Sequence, residues 1–239
     1  MQFIQFIVVV CAAFLANLAG VAFARRVRDR RHLARSFSAG TVFAVAFFIF
    51  LPQALMRSEG AHGADQLLPL VGLGFVIALL LDRFGPIAFS SSEKHAPARK
   101  HYGHAVLNGA AIGIAYHVSP ALSGVVSAAL LVHEFSDSAD AASLASGTES
   151  LASGGPFPRA VRRASSVRGV CVAAGLAVTY FSGLSLPTLS IALAMFGGYF
   201  AYLSASDLMP ESYHEHPQLL TVAMTFGGAG AMYVLASLS

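Results

Sequence analysis

Eight stretches of mostly apolar sequence, each about as long as a bilayer is thick, recur along the chain and limit its fold more than any other feature. A helix crossing the roughly 30 Å hydrocarbon core needs about 20 such residues. The stretches fall at 3–24, 37–57, 66–85, 102–119, 121–143, 168–185, 187–206 and 217–238. Polar or helix-breaking sequence separates them: RRVRDRRHLAR (25–35), RSEGAHGADQ (57–66), residues 86–101, Ser119-Pro120, residues 147–167, Ser185-Leu186-Pro187 and PESYHEHP (210–217). The fourth and fifth stretches are the least apolar. Only 11% of residues are charged and 56% are hydrophobic, against about 25% and 45–50% in soluble domains. The expectation is an all-α membrane protein, one domain over 1–239, built as an eight-transmembrane-helix bundle. No repeat of 20–50 residues is evident.

Charge placement supports the count. With eight spans, alternate loops share a side, and every lysine and arginine except Arg57 falls in or beside loops 1, 3 and 5. The positive-inside rule makes that side cytoplasmic and puts both termini outside. Ala22-Phe23-Ala24 has the small residues of a signal-peptide cleavage site. The first stretch lacks a basic n-region, however, and exceeds the usual 7–15 apolar residues, so it is expected to stay as a helix. Cys11 and Cys171 lie inside apolar stretches and read as packing residues, without a disulfide. No basic patch is interleaved with aromatics, so nucleic acid is not an expected partner. The partners are the lipid bilayer of the cell (inner or plasma) membrane and a substrate, and the reading admits a homodimer.

The fifth stretch carries LLVHEFSDSADAASL (130–144). A charged side chain at a helix centre costs about 2.5–3.5 kcal/mol on insertion scales, so Glu134, Asp137 and Asp140 unpaired would cost on the order of 7–10 kcal/mol. That rivals the whole stability of a domain, about 5–15 kcal/mol. No arginine or lysine lies at the centre of any of the eight stretches, which leaves protonation or a bound cation as compensation. At about 100° per residue, His133, Asp137 and Asp140 share one helical face, with Glu134 on its flank. One helix earlier His104 and Asn108 are also spaced i,i+4. Imidazole with carboxylate suits Zn, Fe, Mn, Co or Ni, and the lack of thiolates argues against Cu(I).

These residues resemble the ZIP (zinc/iron-permease-like) family of divalent-metal transporters. His104-Ala105-Val106-Leu107-Asn108-Gly109 is similar to the His-Asn-x-x-Asp/Glu-Gly of its fourth helix, and His133-Glu134-Phe135-Ser136-Asp137 to the His-Glu-x-x-His/Glu of its fifth. FLPQAL (50–55) looks like the Leu-Pro-Glu-Ala-Leu closing its second helix, and YLSASDLMPE (202–211) like the end of its seventh. A third loop containing His95 and His101 also agrees. The resemblance spans nearly the whole chain and implies a metal site between helices 4 and 5. Departures accompany it: Ala105 replaces an asparagine, Asn108 a carboxylate and Asp137 a His or Glu, Ser138 stands at the next acidic position, and the sixth stretch has no acid. Because those positions help build a second metal site in the family, the resemblance implies a single site here. His104, His133 and Asp137 would form it, with Asn108 and Glu134 as further ligands.

The function expected is uptake of zinc or a similar divalent cation (Fe, Mn, Co, Cd) into the cytoplasm by alternating access, the metal being cargo, with no resident cofactor. Protons competing for His104 and His133 would weaken binding as pH falls toward about 6. Asp140, Asp207, Glu211 and His214, with Glu215 and His216, are candidate accessory or exit-path groups. Paired glycines such as Gly72/Gly74, Gly197/Gly198 and Gly227/Gly228 permit close helix packing. An enzyme is not expected: an intramembrane metalloprotease needs a second histidine where Asp137 stands, and no phosphate-binding loop is present. The alternatives are a proton-coupled carrier of a small solute using the same carboxylates and a divergent, non-transporting member.

Overall fold

A computed structural model describes residues 2–26, 31–58, 63–89, 96–152, 159–215 and 219–239. Among them the chain is all-helical, without strands. The helices are α1 (Gln2–Arg26), α2 (Arg31–Arg57), α3 (Ala64–Phe89), α4 (Ala96–Val118), α5 (Pro120–Ala152), α6 (Arg159–Tyr180), α7 (Leu186–Tyr202, continued through Leu203–Leu208 and Met209–Glu215) and α8 (Leu219–Ser237). Five contain segments long and apolar enough to cross a membrane: Phe3–Ala24, Arg31–Arg57, Ala64–Phe84, Leu186–Leu208 and Leu219–Ser237. This makes the protein a multi-pass membrane protein. α4, α5 and α6 fall short by composition, because polar sequence occupies an end or a face of each.

Local chemistry sets the breaks. The Ser119 hydroxyl accepts from the Leu122 amide at 3.0 Å, and Pro120 supplies a first helical residue whose missing N–H costs nothing there, so α4 turns directly into α5. Ser185, extended and accepting from the Thr188 amide, with Pro187 behind it, starts α7 the same way. Inside α2 and α7 a proline removes a backbone donor, and each helix takes up the misfit in a π-helical turn ahead of it: Val45–Phe50 before Pro52, and Leu203–Leu208 before Pro210.

Consecutive helices run antiparallel. The α4–α5 hairpin, the Phe6–Tyr180 and Phe14–Gly169 contacts of α1 with α6, and the Arg35–Asp140 and Thr41–Ala129 contacts of α2 with α5 fix opposite directions. Four pairs are parallel and tight: α1 with α5, α2 with α8, α3 with α7, and α4 with α6. Glycines permit that closeness, since a Cβ on Gly20, Gly40, Gly74, Gly109, Gly175, Gly198 or Gly228 would strike backbone of the partner helix.

The collisions repeat in a pattern. A Cβ on Gly175 would meet Val106 and Ala110 of α4, as one on Gly20 would meet Phe135 and Ala139 of α5. Gly40 meets Thr225 and Ala229 of α8, as Gly198 meets Val71 and Phe75 of α3. Gly228 meets Phe37, as Gly74 meets Met195. At constant offsets these pairs superpose α1–α3 on α6–α8 and α4 on α5, and the same offsets bring Pro52 onto Pro210 and one π-turn onto the other. Because α1 and α6 run in opposite directions, as do α4 and α5, the two halves are an inverted repeat. No repeat is evident in the sequence itself, because the halves share little beyond glycines, prolines and a pair of histidines.

The fold thus has two groups: α1, α4, α5 and α6 pack on one another, as do α2, α3, α7 and α8. α5 lies against both, with α2 along it. Aromatic rings fill the zone around the first π-turn, where Phe50 meets Phe196 and Phe200. Outward, α1, α3 and α8 expose Phe3, Ile4, Leu15, Leu68, Phe226 and Val234, an apolar surface suited to lipid.

A buried polar cluster as the candidate functional site

The repeat relates the site residues to each other. The offset that places Phe135 on Val106 places His133 on His104 and Asp137 on Asn108. The two i,i+4 pairs are therefore counterparts, brought to the inner faces of α4 and α5 by the same helical spacing. All are buried: His104 is 8% exposed, Asn108 0%, His133 1%, Glu134 1% and Asp137 9%.

Their partners differ from the sequence reading. Arg168 of α6, 2% exposed, lies among them. Its Nη2 donates to Glu134 Oε2 at 3.1 Å and to Asp137 Oδ2 at 3.0 Å, and its Nε lies 3.3 Å from both Glu134 Oε2 and Asn17 Oδ1. Ser138 also donates to Asn17 Oδ1. At the end of α5 nearer Ala152, Arg35 of α2 binds Asp140 Oδ2 through Nη2 at 2.7 Å and Nε at 2.9 Å, with Arg31 at 3.9 Å. The expectation that no arginine or lysine side chain compensates the three carboxylates is overturned. α6 begins at Arg159 rather than 168, and α2 at Arg31 rather than 37, so Arg168 and Arg35 lie inside helices. A signal was available: nothing between Pro158 and Gly169 breaks a helix.

Asn108 donates from Nδ2 to Glu134 Oε1 at 2.7 Å, while its own Oδ1 is buried without a hydrogen-bond partner. Glu134 is thus held on one oxygen by Asn108 and on the other by Arg168, the position of a structural counter-ion. Asp137 divides its carboxylate, with Oδ2 on Arg168 and Oδ1 3.6 Å from His133 Nδ1. Ser38 Oγ of α2 approaches the same Nδ1 at 3.3 Å. His133 Nε2 is buried with no hydrogen-bond partner. His104 Nδ1 lies 2.6 Å from the Tyr199 hydroxyl of α7.

Among the described residues no three His, Cys, Asp or Glu side chains converge closely enough to hold a metal ion in this conformation. His104 is turned to Tyr199 and Glu134 to Arg168. Of the candidate accessory groups, Asp140 is the partner of Arg35, and Asp207 is half-buried within the second π-turn. The side chains of Glu211, His214 and Glu215, the side chain of His101, and His95 and His216 lie outside the described residues. Cys11 and Cys171 are both free thiols.

The chemistry available is that of a buried polar cluster between packed helices. Two carboxylates and one guanidinium sum to a single negative charge, beside two imidazoles with ordinary metal-binding nitrogens. No protein-family model and no curated protein matches the chain.

Proposed function

We propose that the protein carries a divalent transition-metal cation, zinc or a similar ion, across the cell membrane into the cytoplasm by alternating access, through a single site of His104, His133 and Asp137. The observation that carries this reading is the bonding state of His133. With its proton on Nδ1, toward Asp137 and Ser38, the ring leaves a lone pair on Nε2 with nothing to accept from. A ligating imidazole has that arrangement, one nitrogen anchored by a carboxylate and the other vacant. A buried polar atom left unsatisfied otherwise costs about 1–3 kcal/mol. Asn108 Oδ1, also buried and unpartnered, is a second oxygen available to cargo.

Arg168 refines the ligand set. It neutralises Glu134, so that residue is a counter-ion. Asp137, the carboxylate that ligates cargo on this reading, turns its Oδ1 from His133 Nδ1 to the ion and leaves Ser38 to hold that nitrogen. Two neutral imidazoles and one carboxylate bind a divalent ion without cancelling its charge, which favours release. An inside-negative potential of 100 mV contributes about 2.3 kcal/mol per charge, about 4.6 kcal/mol for a divalent ion, so uptake requires no ATP. Further support comes from the inverted repeat, the architecture of many secondary transporters, whose sites sit at the repeat interface near the bilayer midplane. On this reading all eight helices cross the membrane with both termini outside, and α4–α6 do so because their polar faces are turned inward. The order of motifs resembling the ZIP family is consistent with it.

One observation favours a second reading. Arg168 already satisfies Glu134 and Asp137, so the cluster is stable without cargo, as a proton-coupled solute carrier or a non-transporting relative would require. Purified protein in liposomes separates the two. Zinc, manganese, iron, cobalt or cadmium should enter under an inside-negative potential, and His133→Ala and Asp137→Ala should each abolish the flux. Metal flux indifferent to both substitutions would remove the site assignment, and metal-independent solute flux would favour the second reading.

A further inference from the structure

We propose that the Arg35–Asp140 ion pair is a latch that holds the buried site closed toward the basic end of the molecule and must open for cargo to leave there. The release step rests on the transport reading above; the latch itself rests on geometry. Asp140 stands one helical turn beyond Asp137 along α5, in the direction of the arginine-rich sequence that precedes α2. The pair is buried, with Arg35 6% and Asp140 9% exposed. Both Nε and Nη2 of Arg35 grip one carboxylate oxygen, at 2.9 and 2.7 Å. It joins the two helix groups, α2 belonging to one and α5 to the other. Below it on the same contact, Ser38 meets His133 and Thr41 meets the Ala129 carbonyl, so the pair lies between His133 and the basic end.

The broken symmetry of the repeat gives a second, independent indication. The counterpart of the α2–α5 contact is the α7–α4 contact at the opposite end. At constant offset Arg35 answers to Leu193 and Asp140 to Ala111, neither of which can form an ion pair. α2 packs along α5, whereas α7 touches α4 far less. An inverted repeat whose two cross-contacts are unequal is in one of two related states. Here the tight contact, and the ion pair, are both at the basic end. A pair present in one state and absent in the other biases the equilibrium between them by its differential stability.

Thiol accessibility tests this without reference to cargo. In a Cys11→Ser, Cys171→Ser background, Ser38→Cys places a thiol beside His133. A membrane-impermeant methanethiosulfonate is then applied to each side of sealed vesicles holding the full chain. Arg35→Gln and Asp140→Asn should each raise labelling from the basic side on the order of tenfold, with no rise from the other side. Asp140→Glu, which keeps the charge, should label as slowly as the parent. Unchanged labelling in both neutralised variants, or an equal rise from both sides, overturns the latch. Each neutralised variant is scored if it elutes as the parent does and is folded at the labelling temperature, since stranding one partner of a buried pair itself lowers the melting temperature. Where only one variant passes, that one decides; where neither does, the double variant Arg35→Gln, Asp140→Asn, which strands no charge, decides by the same labelling criterion. Failure of the transport reading would look different: no metal flux in the parent, with the labelling shift still present.

Discussion

Arg168 illustrates how much one side chain can alter a buried site. A guanidinium surrounded by Glu134, Asp137 and Asn17 turns two buried carboxylates from a liability into a satisfied network. Removing one partner of a buried ion pair typically costs about 3–5 kcal/mol, because the remaining charge is left uncompensated. Arg168→Met is therefore expected to lower the melting temperature of the detergent-solubilised protein sharply. Adding Glu134→Gln to the same chain should recover part of that loss, since it removes one of the stranded charges. An unchanged melting temperature in Arg168→Met would show that something else compensates Glu134. At this scale the sequence was half legible. The i,i+4 spacing of His104/Asn108 and His133/Asp137 puts each pair on one buried helix face, because helical periodicity alone decides the face. The two arginines were missed because hydropathy locates where apolar sequence begins and not where a helix begins. α6 and α2 both start several residues earlier, in polar sequence with nothing to break a helix.

At the scale of elements, glycines set how closely the paired helices approach. A Cβ on Gly175 would strike the Val106 carbonyl, and one on Gly20 the Phe135 carbonyl, whereas Gly72 has open space around it. Gly175→Ala and Gly20→Ala should each destabilise by about 1–3 kcal/mol, the range for overpacking. Gly72→Ala should be neutral or stabilising by up to about 1 kcal/mol, from helix propensity alone. Thermal melts of the three variants check the ordering, and equal effects at all three would mean the close approaches are not built on glycine. Helix number was readable from apolar runs, and the α4–α5 junction from Ser119-Pro120. The inverted repeat was not. Its halves are related by contacts among glycines, and scattered identities such as Gly20/Gly175, Gly40/Gly198, Gly74/Gly228, Pro52/Pro210 and His104/His133 mark it in sequence, too few to be seen before the helices are paired.

For the whole molecule, alternation of helix direction and the basic loops together imply a definite orientation. Tags at the two ends of the chain should both be reachable from outside intact cells; protection of one alone would contradict an even number of crossings, and protection of both would contradict the orientation. On the proposed transport reading, the two helix groups, the tight α2–α5 contact and the Arg35–Asp140 pair correspond to a state closed at the basic end, with His133 Nε2, buried and without a hydrogen-bond partner, offered to cargo. That claim is tested most directly by equilibrium binding of zinc to the purified full-length protein, with metal content measured per chain after desalting. The expected result is one zinc per chain in the parent, lost in His133→Ala and retained in His117→Ala, whose ring binds the Thr179 carbonyl away from the site. Absence of bound zinc, cobalt, manganese, iron and cadmium in the parent, or binding undiminished in His133→Ala, would contradict it.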